Sequence, residues 1–173
     1  YFVPGDVDSS TGNLNFDGTL YIKGSVTEGF IVTASGNILI EGAIMGGIVD
    51  AGGNIDVRGG IITRDIGKVT AGGSIAAKFI ENSRVEAAGN ITVHRAIMSS
   101  TVLSDKNILV LSQEGTIIGG ELSAYNEIIA KTIGSSSSVK TVLRVGHRFE
   151  GSKELSDFEA QVDDYSKKIE QVK

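Results

Sequence analysis

The chain has 173 residues, a net charge of −5, no cysteine, one proline and 23 glycines. These figures set aside disulfide scaffolds, thiolate chemistry, cysteine-ligated zinc and a general nucleic-acid binder. No apolar run approaches the roughly 18 residues of a membrane span, so none is expected.

Residues 1–31 include Val3-Pro4-Gly5-Asp6-Val7 and Gly12-Asn13-Leu14-Asn15-Phe16, and read as an irregular lead-in that covers one end of a repeat array. A faint copy of a repeat, NFDGTLYI, lies inside it. Over residues 32–130 the copies become plain: VTASGNILI, VDAGGNIDV, VTAGGSIAA, VEAAGNITV, VLSDKNILV and ELSAYNEIIA. The first large aliphatic after each turn gives Leu20, Ile38, Ile55, Ile75, Ile91, Ile108 and Ile128, at steps of 18, 17, 20, 16, 17 and 20 residues. A unit this short cannot enclose a core, so copies must stack to bury their apolar side chains.

Each copy alternates with period two, as a strand with one buried face does. A first short strand carries Val32, Val49, Val69, Val85, Val102 or Leu122. A Gly/Asn corner follows, then the strand of the Leu/Ile column. Gly and Asn accept positive φ, so a sharp bend is expected at that corner. A third apolar pair completes the copy: Ala43-Ile44, Ile61-Ile62, Phe79-Ile80, Ala96-Ile97, Ile117-Ile118 and Thr132-Ile133. Three strands in about 18 residues make one turn of a single-stranded parallel β-helix, with turns about 4.8 Å apart. About seven turns are expected, in a right-handed winding because the drifting period disfavours a strict hexapeptide helix. Leucine-rich repeats need fixed Leu spacings and a helical segment, and neither is visible. Extra residues at 63–68, Ser112-Gln113-Glu114-Gly115 and the Ser135 to Ser138 run should loop out after the third strand. Residues 139–145 form a last strand that breaks the period.

From Ser152 the pattern changes. Leu155, Phe158, Val162, Tyr165, Ile169 and Val172 are spaced 3, 4, 3, 4 and 3, a coiled-coil seam. The expected organisation is therefore an all-β β-helix over 1–151 and a truncated coiled-coil α-helix over 152–173. The chain starts without Met in mid-pattern, so it is taken for a fragment of a longer protein.

The AGGN-I-x-V units, the phrase AAKFIENSRVEAAGNITV at 76–93, TVLRVG at 141–146 and the coiled coil resemble the bacterial flagellar assembly protein A family. The resemblance implies a right-handed β-helix with a helical hairpin inserted near its end. It also implies a cytoplasmic bacterial protein acting through protein contacts in flagellar assembly or cell-surface organisation. Bactofilins are a more distant likeness, and they do not usually continue into a coiled coil. No catalytic motif comes with the family.

Sought chemistry is sparse. His94 and His147 have no partner at metal-ligand spacing, and no G-x-S-x-G elbow or phosphate loop backed by a helix occurs. No cofactor or metal is expected. Asp56, Arg58, Arg64 and Asp65 could imitate the carboxylate and cation set of a β-helix polysaccharide lyase or glycosidase, but nothing singles out a carboxylate pair. The position after each inward pair reads Lys23, Glu41, Arg58, Lys78, His94, Leu111 and Lys131, a mostly basic ridge on an acidic protein. Beside it Leu39, Leu109 and Ile129 should point outward. The leading expectation is a non-catalytic scaffold that contacts protein partners through Arg58, Lys78, His94 and Lys131. Its seam of Leu155, Phe158, Val162, Tyr165, Ile169 and Val172 would pair with a helix truncated from this chain or with another copy. A carbohydrate-active enzyme and a self-assembling filament are the alternatives.

Overall fold

A computed structural model describes residues 1–64, 66–136 and 139–146. The described residues coil into a parallel β-solenoid of about eight turns, with 17 strands among them joined in one hydrogen-bonded sheet. No helix occurs among the described residues. The seam at 155–172 and the boundary at 151/152 lie outside them.

Three parallel ladders make the walls. On the first face Leu14, Val32, Val49, Val69, Val85, Val102, Leu122 and Leu143 stand in register. On the second face Leu20, Ile38, Ile55, Ile75, Ile91, Ile108 and Ile128 do the same, which is the column read from the repeat. On the third, Val7, Val26, Ile44, Ile61, Ile80, Ile97, Ile117 and Ile133 are stacked. The three columns meet in one core, and Ile38, Ile55, Ile75, Ile91 and Ile108 are essentially inaccessible to solvent. Burying an aliphatic side chain of this size contributes on the order of 1.5–3 kcal/mol, so the columns dominate stability.

Several sequence expectations need correction. The lead-in is not irregular: Phe2–Val3, Leu14–Phe16 and Leu20–Ile22 are ladder strands in register with the turns that follow. That regular first turn is why the shaft has one turn more than the Leu/Ile column counts. Thr141–Val145 does not break the pattern either. It pairs with residues 120–124 as the next first-face strand. In the pairs Ile61-Ile62 and Ile117-Ile118 the first residue faces inward, where in the other four it is the second. The Ser112-Gln113-Glu114-Gly115 insertion precedes its third-face strand Thr116–Ala124 and so sits at the second corner.

The corners also work differently from their reading as positive-φ bends. None of the glycines in the Gly-Gly-Asn phrases has positive φ. Gly52 and Gly72 are required because the backbone of the neighbouring turn is too close: an added Cβ would lie 2.2 Å from the Ser35 carbonyl oxygen and 2.4 Å from that of Gly52. Asn serves a ladder of its own. Asn37 Oδ1 accepts the Asn54 N–H at 2.8 Å, Asn54 Oδ1 accepts the Ser74 N–H at 2.7 Å, and Ser74 Oγ accepts the Asn90 N–H at 3.1 Å. The left-handed bend recurs instead at the third corner, at Gly46, Arg64, Asn82, Ser99 and Gly119. There Ser83 and Ser100 are buried and hydrogen-bond backbone groups of adjacent turns. In the one corner spelled Ser-Asp-Lys-Asn, Ser104 takes over from the glycines, donating to the Gly89 carbonyl at 2.8 Å and accepting the Lys106 N–H at 3.0 Å.

Candidate functional site

The second face carries the predicted ridge on its outer side. Inward side chains at Ile40, Val57, Ala77, Val93 and Val110 fix where the next residue points, and Glu41, Arg58, Lys78, His94 and Leu111 therefore leave the shaft at the same edge. Lys78 sits at a register irregularity. Between Ala77 and Phe79 its strand spends one residue where the turns on either side spend two, Arg58-Gly59 and His94-Arg95. An irregularity of this kind re-aims a side chain at a sheet edge.

Arg58, Lys78, His94 and Leu111 form one wall of a shallow trough of about 420 Å³. Its floor is the outward middle column Asp56, Ala76 and Thr92, which stand in register on successive turns. Three small side chains in a row leave the trough open, whereas Leu39 lies one turn below the floor and Leu109 one turn above it. Leu39 and Leu109 are half-buried and Ile129 is exposed, so all three face outward as expected. Lys131 is exposed beyond Leu111, outside the trough, and is not brought together with the other three.

The electrostatics grade along the wall. Arg58 Nη1 lies 3.6 Å from Glu41 Oε1, a solvent-facing pair of small energetic weight. Glu41 also accepts a hydrogen bond from the Tyr21 phenol, which raises Tyr21 above its ordinary value, with desolvation and the Glu41 charge adding and Arg58 opposing. Lys78 and His94 carry no ion pair among the described residues. The floor column and the Tyr21–Glu41–Arg58 chain were not singled out in the sequence. Their signal is the variable position between the two inward residues, which is small on three successive turns.

A second polar cluster lies on the first face. Glu86, only 2 % exposed although it faces outward, is held by Lys68 Nζ at 2.6 Å and Arg84 Nε at 2.8 Å. It ties Lys68, at the end of the 63–68 insertion, to the shaft, with one cation on each carboxylate oxygen. Of Asp56, Arg58, Arg64 and Asp65, the first two lie on the second-face strand and Arg64 at the third corner; Asp65 lies outside the described residues. No group of metal-ligating side chains occurs among the described residues. Among them, no helix is long and apolar enough to cross a membrane.

Parallel ladders wrapped around one aliphatic shaft, with side chains displayed in straight rows, define a β-solenoid repeat domain. Within that class the chain belongs to the Flagellar Assembly Protein A beta solenoid domain family, whose model matches residues 1–173. No curated protein and no solved structure shows significant similarity to it.

Proposed function

We propose that the chain is a non-catalytic scaffolding module of bacterial flagellar assembly, acting in the cytoplasm through protein contacts made by the outer side of its second face. The observation that carries this reading is the row of Arg58, Lys78 and His94 on successive turns, beside an open floor, in a chain of net charge −5. Arg58 and Lys78 are like charges on successive turns, and only Arg58 is paired, to Glu41, so an acidic partner gains most at Lys78. Family membership supports the cellular setting. The heptad spacing of Leu155 to Val172 supports pairing with a second chain, and the drifting repeat length supports right-handed winding.

The test is the charge reversal Arg58→Glu/Lys78→Glu in the full-length protein. Both residues are solvent-facing, so the circular dichroism spectrum should hold, with at most a small drop in thermal midpoint from the new carboxylates beside Glu41. Proteins co-purified by the wild type from a flagellated bacterium should be depleted at least about tenfold by the variant, with quantitative mass spectrometry as readout. Equal recovery would remove this face from the function.

A further inference from the structure

The geometry points to the class of partner that this trough takes: an acidic amphipathic α-helix laid along the solenoid axis. The inference rests on the proposed partner-binding role of the second face and goes beyond it by specifying the partner's secondary structure and charge pattern.

Arg58, Lys78 and His94 stand on successive turns, each advancing the axis by about 4.8 Å, with Lys78 at the register irregularity. Side chains one helical turn apart on an α-helix repeat at about 5.4 Å. Over the two intervals from Arg58 to His94 the mismatch is about 1 Å, which flexible Lys, Arg and Glu side chains absorb. An extended strand shows a side chain to the same side only every 6.6–6.8 Å or so, and over two intervals it overshoots by about 4 Å. Carboxylates at positions i, i+4 and i+7 of a helix therefore match the wall, and those of a strand do not.

The floor fits the same occupant. Asp56, Ala76 and Thr92 leave room for a helix to approach the sheet, and Leu39 and Leu109 stand at either end of that opening. Leu39 and Leu109 are four turns apart, about 19 Å, the length of roughly 13 helical residues. A partner helix would place its acidic row toward Lys78 and its apolar residues on the two leucines. Asp56 at the floor fixes the rotation, because an acidic row turned over it would be repelled. Lys78, with no ion pair of its own among the described residues, is the position at which a carboxylate gains most.

The experiment measures binding of fluorescent synthetic peptides to the whole chain. One is a 14-residue peptide, stapled as a helix, with Glu at i, i+4 and i+7 and Leu at both ends of the adjoining stripe. Its control has the same composition with a central proline and no staple. The stapled peptide should bind at least tenfold tighter. Ala76→Tyr, which fills the floor without changing charge, should remove most of that advantage. Binding of the two peptides within twofold of each other, or indifference to Ala76→Tyr, would overturn the helical inference. So would an equal response to polygalacturonate, or no binding of either peptide at millimolar concentration. If both peptides bind alike and both are lost on Arg58→Glu/Lys78→Glu, the partner-binding reading of this face stands while the helical one falls.

Discussion

Asn37 holds Asn54 from one turn away: its side-chain oxygen accepts the Asn54 backbone N–H at 2.8 Å, and Asn54 does the same for Ser74 at 2.7 Å. The corner therefore carries a side-chain ladder beside its backbone bonds, such as Gly53 N–H to the Gly36 carbonyl at 2.9 Å, and holds the one N–H of each Gly-Gly-Asn corner that those bonds leave over. Asn54→Ala removes the acceptor for the Ser74 N–H and should cost about 0.5–1.5 kcal/mol in denaturant unfolding. An unchanged midpoint would mean that water replaces the bond without loss.

Close approach sets the glycines of the same corner. Gly52→Ala would put a Cβ 2.2 Å from the Ser35 oxygen, so the turn must shift, at about 1–3 kcal/mol. Gly5 has ordinary φ and open space around it, and Gly5→Ala should stay within about 0.5 kcal/mol of the wild type. Thermal denaturation of the two variants in parallel checks the contrast, and equal effects would contradict it.

The shaft predicts a gradient along its length. Ile75 is fully buried in the middle of the second-face column, whereas Ile128 at its far end is only partly buried. Ile75→Ala should cost about 2–5 kcal/mol by cavity formation and lost transfer energy. Ile128→Ala should cost less than half as much, because its site is already open to solvent. Chemical unfolding of both variants reads the difference.

Tyr21 supplies a pH signature for the second face. Its phenol donates to Glu41, and the folded state favours the neutral phenol, raising it above the ordinary value near 10. The resulting stabilisation is fully present below that ordinary value and is lost as the pH climbs through the raised one. In a background lacking the other three tyrosines, Tyr21 should ionise later than free tyrosine by ultraviolet absorbance. Glu41→Gln should bring the midpoint back down, and a midpoint unaffected by Glu41→Gln would contradict the contact.

Much of this architecture is legible in the sequence because stacking makes register and repeat the same thing. Val32, Val49 and Val69, like Ile38, Ile55 and Ile75, are columns on the page before they are columns in space. Corners are less legible, since composition does not distinguish a glycine needed for φ from one needed for clearance. Gly52 is of the second kind, while Asn82 and Ser99 take the left-handed bend with no glycine to announce it. The ridge at Arg58, Lys78 and His94 was visible as one parity position. The trough beside it was not, because Ala76 and Thr92 matter for the bulk they lack. Glu86 escaped for a related reason: an outward carboxylate becomes buried only once Lys68 and Arg84 fold over it.

The functional reading depends on each repeat advancing the shaft by one strand spacing, so that the ridge is straight. The chain has no cysteine, so spin labels can be placed on Lys23→Cys and Lys131→Cys alone, six turns apart on that ridge. Pulsed electron–electron distance measurement should give one distribution centred near 29 Å, broadened by the label arms. A centre below about 20 Å or above about 45 Å would contradict the stacked ridge and the partner surface built on it.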